Sequence, residues 1–280
     1  MPTRSRPTVS VIVVHHKTPD LLRSCLRSLT LQSERILETI VVDVAPGDTT
    51  LARQATAHLD LPRIAILVLT QNRGFGAACN LAASRARGDI FLFLNADTEI
   101  DYEAIRHLAD VFQRRDRLGV AGCRISETAR DPAPCRFSFP RGPLRILRNL
   151  VKYPSPTREG ATAIVLPVCG TEPLRADWVL GAAMAVSSVA FLQVRGFDEG
   201  FFLFFEDVDL CRRVARADWE VVIVPLARVS HIHGASTRLY PSQQIHWARY
   251  RSQIRYFAKH YGIIGLVAAA SDLSCLRWRL

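Results

Sequence analysis

An α/β fold with a mostly parallel sheet flanked by helices is predicted by two features of the sequence. Short apolar runs that suit buried strands alternate with segments whose apolar residues recur at helical spacing. Acidic or glycine-containing turns follow several of these runs, and in an open α/β sheet ligands bind outside the carboxyl ends of the strands. A chain of 280 residues with 49% hydrophobic content can bury a large core as one domain, with or without an embellishment.

Three repeats of a strand followed by a helix are predicted in the first part of the chain, and they lead into a fourth strand. Right-handed crossovers between such repeats make neighbouring strands parallel. The predicted elements are strands at 9–14, 36–44, 64–69, 90–94 and 119–123, and helices at 21–29, 51–59, from the turn at 70–80 to Arg87, and at 101–115.

An acidic tip ends the fourth strand. Its five apolar residues, 90–94, are too few for a typical helix and run directly into Asn95, Ala96 and Asp97. This position suits Asp97 for contact with a polar ligand or a metal. Asp97 could equally cap a helix that begins near Tyr102, and the stretch alone does not separate the two interpretations.

A glycine-containing turn follows the third strand. Asn72, Arg73 and Gly74 open an alanine-rich helix that includes Asn80. Free N–H groups and a positive dipole at such a helix start favour an anionic ligand. Because a Gly-x-Gly pattern also occurs in ordinary turns, an anion site and a simple turn both remain open.

A loop-rich insertion is predicted at 124–175. It contains eight prolines, and nine basic against four acidic residues. Prolines at this density forbid a long helix or a central strand. The basic residues could form an edge over the ligand site that contacts an acceptor or a membrane. A solvent-exposed loop with no binding role would have the same composition.

Regular structure is expected to return after the insertion. The predicted elements are an apolar strand at 178–186 with close backbone approach at Gly181, helices at 188–194 and 206–215, a strand at 220–224 and a helix at 244–261. The last helix is basic and aromatic. It suits a membrane interface, phosphates, or a solvated face packed through Ile245, Ile254 and Phe257.

Four phenylalanines stand beside the adjacent acids Glu206 and Asp207. Aromatic walls and like charge both raise the pKa of a carboxylate, as a general base that works near neutral pH requires. The same acids would also suit the first turn of a helix, with Asp209 and Arg213 forming a surface pair. Both interpretations remain open.

Two histidines at alternate positions follow the strand predicted at 220–224. His231 and His233 point the same way from an extended segment, and such a pair can ligate a metal. A lone His-x-His also occurs as plain polar surface.

Charge and cysteine content indicate where the protein is located in the cell, but they do not decide its function. A net charge of +10 suits nucleotide phosphates, nucleic acid or an anionic membrane surface. The seven cysteines form no CxxC pair, which argues against a disulfide framework or a zinc ribbon. The N-terminal residues lack the apolar core of a signal peptide, and the apolar run at 262–270 is far short of a bilayer span. We expect a cytoplasmic protein, with peripheral contact to the cytoplasmic face of the membrane as an option.

An ordered set of motifs spans the chain from Val9 to about Gly262. It comprises VSVIVV at 9–14, VVD at 41–43, NRGFG at 72–76 with Asn80, FLNAD at 93–97, GFDE at 196–199 with Phe201 and Phe202, EDVDL at 206–210, and His231 with Gly234 and Ser236. No one motif is decisive, whereas the ordered set is highly specific. It resembles the inverting nucleotide-sugar glycosyltransferases of family 2, and especially their bacterial rhamnosyltransferase-like members.

The resemblance implies the GT-A fold, a Rossmann-like mixed and mostly parallel sheet flanked by helices. It implies transfer of a sugar, such as the deoxyhexose rhamnose, from a dTDP or UDP sugar to a hydroxyl of a glycan or lipid-linked acceptor, with inversion. We expect a nucleotide-binding half at 1–123, the insertion at 124–175, an acceptor and catalytic half at 176–240, and a basic helical segment at 241–280.

The resemblance also implies roles for individual residues. Asp97 matches a metal-binding acid that holds Mg²⁺ or Mn²⁺, and His231 matches a histidine that can complete the metal site. Asp207 matches the catalytic base, with Glu206 beside it. The residues expected at the nucleotide are Asp43, which matches a residue that hydrogen-bonds a pyrimidine base, and Val13, Asn72, Arg73, Gly74, Asn80 and Asn95.

The sequence departs from the family pattern at the base-binding edge and in the metal motif. His15, His16 and Lys17 stand where the family usually has Asn-Tyr-Asn, and Val44 replaces the usual Asn. Asn95 replaces the first acid of a strict DxD motif, which leaves Asp97 as its only acidic ligand.

Two competing functions fit the sequence less well. A nucleotidyltransferase would share the sheet and the metal-bound acids, but it requires no acceptor-side base at 206–207. A non-enzymatic protein that binds nucleic acid or a membrane surface would carry its charges as a stripe. Here the charges are scattered except in the insertion and the last helix, so we expect no nucleic-acid partner.

Overall fold

The computed structural model of the chain describes residues 6–44, 50–126, 136–138, 164–166, 170–232 and 239–270, with the backbone alone at 136–138, 164–166, 264 and 266–270. In chain order its helices and strands are β1 (Val9–His15), α1 (Pro19–Thr30), β2 (Ile36–Asp43), α2 (Thr50–Thr56), β3 (Ile64–Val68), α3 (Phe75–Ala83), β4 (Ile90–Asn95), β5 (Thr98–Ile100), α4 (Ala104–Arg114), β6 (Leu118–Ser126), β7 (Arg136–Ser138), β8 (Ile164–Leu166), β9 (Leu174–Arg175), β10 (Ala183–Ser187), α5 (Ser188–Gln193), α6 (Glu206–Arg216), β11 (Glu220–His231) and α7 (Ser242–Ala270).

A nine-stranded sheet runs through the molecule in the order β3-β2-β1-β4-β10-β6-β11-β5, with β9 paired to β11. β1, β2, β3, β4, β6 and β11 run in one direction, whereas β5, β9 and β10 run in the other. The predicted mixed, mostly parallel sheet is therefore confirmed. A separate antiparallel pair joins β7 to β8.

Helices cover both faces of the sheet. On one face α1 and α4 pack through buried side chains such as Leu26 and Leu108. On the other, α5, α6 and α7 pack through Phe191, Leu210 and Tyr256. This double cover explains why β1 and β4 are mainly apolar and buried on both faces and do not alternate between apolar and polar residues.

The structure excludes one interpretation of Asp97. Residues Thr98–Ile100 form the edge strand β5, which pairs with β11, and α4 begins only at Ala104. Glu103 occupies the N-cap position of that helix. The suggestion that Asp97 caps a helix starting near Tyr102 is wrong, because pairing with β11 draws the intervening residues into the sheet.

Strands β6 and β11 extend well beyond their predicted ends. β11 continues through Pro225, which the sheet tolerates because the register with β6 is interrupted between Val224 and Arg228. The extension brings His231 opposite Thr98 at the edge of the sheet. Residues 127–135, 139–163 and 167–169 of the predicted insertion, and His233, lie outside the described residues.

Three basic side chains in the middle of α7 face the protein. Arg255 and Lys259 bind Asp198 at 2.8 and 2.7 Å, and His260 binds the buried Asp209 at 2.7 Å. These three side chains join α7 to the core and do not form a free basic face. In the described part of the chain, α7 included, no helix has the length and apolar character needed to cross a membrane.

Asp209 and Arg213 pair as predicted, at 2.7 Å. The pair is not at the surface, however, because the Asp209 side chain is fully buried. The packing of α7 over α6 covers it.

Candidate active site

The ends of β1 and β2 bring a histidine against an acid. His15 and Asp43 are opposite each other in the sheet, and both side chains are fully buried. His15 Nε2 accepts a hydrogen bond from the Thr18 N–H at 3.0 Å. The proton of the neutral ring therefore lies on Nδ1, which is 3.5 Å from Asp43 Oδ1. An imidazole thus lies beside the acid that is expected to meet a nucleobase, without a hydrogen bond from Nδ1 to the carboxylate.

The turn after β3 is anchored to the segment that precedes α6. Asn72 Oδ1 accepts a hydrogen bond from the Gly74 N–H at 3.0 Å, and the Phe75 N–H donates to the Phe202 carbonyl at 3.2 Å. Gly74 has φ of 99°, and a Cβ there would lie 2.2 Å from the Phe202 carbonyl oxygen. Glycine is required at this position for both reasons.

We expect Gly74→Ala to lower the free energy of unfolding by at least about 2 kcal/mol, because strained backbone and a clash with main-chain atoms add together. Urea denaturation followed by circular dichroism measures the change. Gly170→Ala is the matched control, since Gly170 also has positive φ but no atom of the described residues lies within 4 Å of a Cβ there. Equal losses in the two variants would show that the contact with Phe202 contributes nothing.

Two of the residues expected at the nucleotide instead bind the loop before α6. Asn80 exchanges two hydrogen bonds of 2.9 Å with the Phe197 backbone, and its Nδ2 also donates to Glu199 at 3.1 Å. Arg73 pairs with Glu199 at 2.8 Å. Both side chains connect the start of α3 to this loop, and their contact with a nucleotide stays a prediction.

Val13 and Asn95 lie on adjacent strands but in different surroundings. The Val13 side chain is fully buried in the apolar cluster that includes Leu22, and its contact with a nucleotide stays a prediction. Asn95 is the last residue of β4, and its N–H donates to the Ala182 carbonyl at 3.0 Å. Asn95 is therefore at the edge where a ligand would bind.

Asp97 and His231 meet at the same edge. His231 Nε2 lies 3.1 Å from Asp97 Oδ1, and each residue is 7% exposed. The Ile232 N–H donates to the Asp97 carbonyl at 3.0 Å, which ties the end of β11 to the chain after β4. Oxygen and imidazole donors suit Mn²⁺ or Mg²⁺. Among the described residues no third His, Cys, Asp or Glu joins them.

Asp207 is held by two backbone donors. Its Oδ2 accepts from the Gly181 N–H and its Oδ1 from the Val208 N–H, both at 2.8 Å. A Cβ on Gly181 would lie 3.2 Å from the Asp207 Cβ, so the predicted close approach at Gly181 is confirmed. The next residue, Ala182, bonds to Asn95, which puts Asp207 beside the end of β4.

Glu206 faces α3, on the other side from Gly181. It is 6% exposed, a Cβ on Gly76 would lie 3.8 Å from its Cβ, and its Oε2 has no hydrogen-bond partner within the described part of the chain. Burial and the charge of Asp207 raise the pKa of Glu206 to about 8. Burial also raises the pKa of Asp207, against the two N–H donors that favour its charged form. The two N–H donors thus favour the charged form of Asp207, whereas Glu206 Oε2 has no such donor within the described part of the chain.

A strained turn precedes this acid pair. Phe204 and Phe205 both have φ of 67°, a left-handed conformation that is uncommon for aromatic residues. The Arg249 guanidinium lies 4.4 Å from the Phe204 ring centroid, and Phe205 packs against Tyr256 at 5.4 Å. Such strain persists where the surroundings hold it and is concentrated at functional sites.

Tyr240 belongs to this edge of the sheet, and sequence reasoning missed it. Its hydroxyl lies 2.9 Å from His16 Nε2 and accepts from Asn72 Nδ2 at 3.3 Å, and its ring stacks on His16 with centroids 5.3 Å apart. Tyr240 thus bridges the ends of β1 and β3, on either side of Asp43. No local pattern marks this contact, because 224 positions separate Tyr240 from His16.

The comparison with protein families agrees with this geometry. The model of "Glycosyl transferase family 2" matches residues 10–165, which is more than half of the 280 residues. The chain belongs to glycosyl transferase family 2. The predicted resemblance is confirmed, and the protein is a glycosyltransferase. The matched region of this family 2 enzyme ends before Glu206 and Asp207, so their roles rest on geometry and stay predictions.

Several relatives cover most of the family 2 chain. It is 27% identical over 260 residues to an N-acetylglucosaminyl-diphospho-decaprenol L-rhamnosyltransferase of Mycobacterium tuberculosis, which covers 84% of this chain and 79% of the relative. It is 26% identical over 270 residues to the rhamnosyltransferase WbbL of Escherichia coli K12, covering 90% and 93%. The O-antigen biosynthesis protein RfbC of Myxococcus xanthus is 29% identical over 249 residues, which is 85% of this chain and 18% of RfbC.

Solved structures agree on the fold. GalNAc-T7, determined with UDP, GalNAc and Mn²⁺, matches 95% of this family 2 chain with a TM-score of 0.66 and 15% identity, and the match spans 54% of that protein. The mannosyltransferase PcManGT of Pyrobaculum calidifontis, in complex with GDP-Man and Mn²⁺, matches 99% with a TM-score of 0.58 and 17% identity, over 77% of its length. The GT-A fold expected from the sequence is confirmed.

Proposed function

We propose that this glycosyltransferase moves a sugar, with rhamnose as the first candidate, from a dTDP or UDP sugar to a hydroxyl of a glycan or lipid-linked acceptor. The observation that carries the proposal is the approach of the Asp97–His231 pair and the Asp207 carboxylate to one end of β4. The two relatives named as rhamnosyltransferases support the choice of sugar. The decaprenol diphosphate in the first name supports a lipid-linked acceptor, and RfbC supports a role in cell-surface polysaccharide synthesis.

Asp43 is the group we expect to recognise the base. Its carboxylate can accept a hydrogen bond from the ring N–H of uracil or thymine, and the His15 imidazole lies 3.5 Å away. Asn72 and Tyr240 flank the same edge. This arrangement favours a pyrimidine nucleotide as the donor.

The donor set at Asp97 and His231 fits a divalent cation. One carboxylate oxygen and one imidazole nitrogen converge at 3.1 Å in a buried position, and Mn²⁺ accepts both kinds of ligand. The Mn²⁺ in the structures of GalNAc-T7 and PcManGT supports a divalent cation, with Mn²⁺ or Mg²⁺ as candidates here. When bound, the cation would offset the negative charge that develops on the leaving nucleoside diphosphate.

Asp207 is the group we expect to act as general base. Its carboxylate takes the proton of the acceptor hydroxyl while the hydroxyl oxygen forms a bond to the anomeric carbon and the bond to the diphosphate breaks. Attack from the side opposite the leaving group inverts that carbon. The N–H groups of Gly181 and Val208 keep the carboxylate oriented during this step.

Peripheral contact with a membrane would bring the enzyme to a lipid-linked acceptor.

Calorimetric titration of the protein with UDP, dTDP and GDP, in Mn²⁺ and in EDTA, tests the nucleotide assignment. We expect UDP or dTDP to bind at least about tenfold more tightly than GDP, equivalent to about 1.4 kcal/mol, and more tightly in Mn²⁺ than in EDTA. The matching sugar nucleotide should then release its nucleoside diphosphate when an acceptor is added. A preference for GDP, or equal binding of all three, would reject the pyrimidine donor.

A further inference from the structure

Asp209 is a fully buried carboxylate, two positions after Asp207, with three partners. Arg213 Nε binds its Oδ2 at 2.7 Å, and His260 Nε2 and Lys259 Nζ bind its Oδ1 at 2.7 and 2.8 Å. Two of these partners come from α7, outside the helix that carries the acid pair. The function proposed above gives none of them a role.

The protonation state of His260 follows from its neighbours. Arg216 Nη1 lies 3.2 Å from His260 Nδ1, and a guanidinium can only donate, so Nδ1 accepts. The ring proton is then on Nε2, which donates to Asp209. Burial lowers the pKa of His260, which favours the same neutral form. His260 therefore supplies a hydrogen bond, whereas Lys259 and Arg213 supply the positive charge.

These partners decide the charge state of Asp209. Burial alone would raise the pKa of this carboxyl, but the contacts with His260, Arg213 and Lys259 hold it well below its usual range. Asp209 is therefore charged, and its charge is compensated locally. Lys259 also binds Asp198 at 2.7 Å, so one ammonium group joins α6 to the loop before it.

We propose that Lys259 and His260 are positioning residues for sugar transfer, because they fix and neutralise Asp209 in the helical turn that presents Asp207. The inference rests on the function proposed above. The Asp209 N–H donates to the Phe205 carbonyl at 2.8 Å, so a displaced Asp209 would disturb the strained turn before the acid pair. Without these partners, the negative charge of Asp209 would stand uncompensated in the same helical turn as Asp207.

The pH dependence follows from the groups around Asp207. Glu206 and Cys211 interact electrostatically with Asp207, Asp209 lies two positions away on the same helix and also acts on Cys211, and the packed segment at Gly181 contributes a backbone N–H. A less compensated Asp209 disfavours the charged form of Asp207 and so raises its pKa. Activity that needs the Asp207 carboxylate would then be lost at a higher pH on the acidic side.

Lys259→Met should lower kcat about tenfold, leave the Kd of the nucleoside diphosphate within about threefold, and move the acidic limb of the kcat profile up by about 0.5–1 pH unit. Lys259→Arg should keep most of kcat and leave the acidic limb of the kcat profile at its original pH, because it keeps the charge. His260→Phe removes a hydrogen bond but no charge, so it should lower kcat with a smaller shift of the limb. Arg251→Met, at an exposed position of the same helix, is the matched control and should behave like the unmodified protein.

Steady-state kinetics over a pH series, with the folded fraction measured by thermal unfolding, tests the inference. Unchanged kcat and pH profile in both Lys259→Met and His260→Phe would overturn it. So would a loss of kcat that follows only the folded fraction, because that result indicates a purely structural role. Failure of the proposed function would be seen separately, as absence of transfer in the unmodified protein. Carbon-13 titration of the Asp207 carboxyl in Lys259→Met would then still show whether the charges are coupled.

Discussion

Asp207→Asn should lower kcat by about 10²- to 10⁴-fold, the usual contribution of a general base. The amide cannot take the proton of the acceptor hydroxyl, so the attacking oxygen stays a poor nucleophile. The Kd of the nucleoside diphosphate should change less than about threefold, because the expected base and metal contacts lie at Asp43 and Asp97. Donor turnover with acceptor present, together with calorimetric nucleotide titration, measures the two effects separately.

The local geometry sets the control for this variant. Asp207 accepts from two backbone N–H groups, one on each oxygen. An asparagine has one carbonyl oxygen, so its amide group would oppose one of these donors, at a cost of about 1–3 kcal/mol in stability. Thermal unfolding must therefore accompany the kinetics. Asp218→Asn, at an exposed left-handed position just after the same helix, should keep full activity. Transfer by folded Asp207→Asn at the unmodified rate would exclude Asp207 as the base.

The location of the site at one edge of the sheet follows from local sequence. The apolar run at 90–94 is too short for a typical helix and indicates a buried strand, and parallel strands end at the same edge. That reasoning alone takes Asp43 and Asp97 to one edge, as the register of β1 with β2 and β4 confirms. The close approach of Gly181 to another chain segment could also be predicted from the sequence, because a glycine within an apolar run often indicates such a contact.

Local sequence patterns could not predict which residues contact these acids. His231 reaches Asp97 only because β11 continues past Pro225 by shifting its register against β6, and the sequence resemblance was needed to connect the two residues. Tyr240 meets His16 through a fold-level contact that no spacing indicates.

Burial was the property that the sequence predicted least well. Helical spacing predicts the contact of Asp209 with Arg213, yet it cannot show that α7 covers the pair. The basic residues of α7 suggested a surface for lipid or phosphate for the same reason. The spacing of charged residues along a helix is the same whether they face water or a buried carboxylate. Which of the two they face depends on packing between segments that are distant in the sequence.

Asp97→Asn should remove most of the gain in nucleotide affinity that Mn²⁺ provides, a loss of at least about tenfold. The amide has nearly the same shape as the carboxylate and can still accept a hydrogen bond from His231, so the contact at 3.1 Å and the fold should persist. What is lost is a negative charge, which favours binding of a divalent cation. Affinity in EDTA should be unaffected, because the base contact at Asp43 does not involve Asp97.

Calorimetric titration of UDP or dTDP in Mn²⁺ and in EDTA gives the metal-dependent part of the affinity directly. Glu99→Gln is the matched control, since Glu99 is an exposed carboxylate two positions further along on the edge strand β5. It should keep the full response to Mn²⁺. The same response in Asp97→Asn would contradict a metal role for Asp97, whereas a loss in EDTA as well would indicate that Asp97 shapes the nucleotide pocket itself. Titrations in Mn²⁺ and in EDTA thus distinguish a role for the charge of Asp97 from a role for its shape.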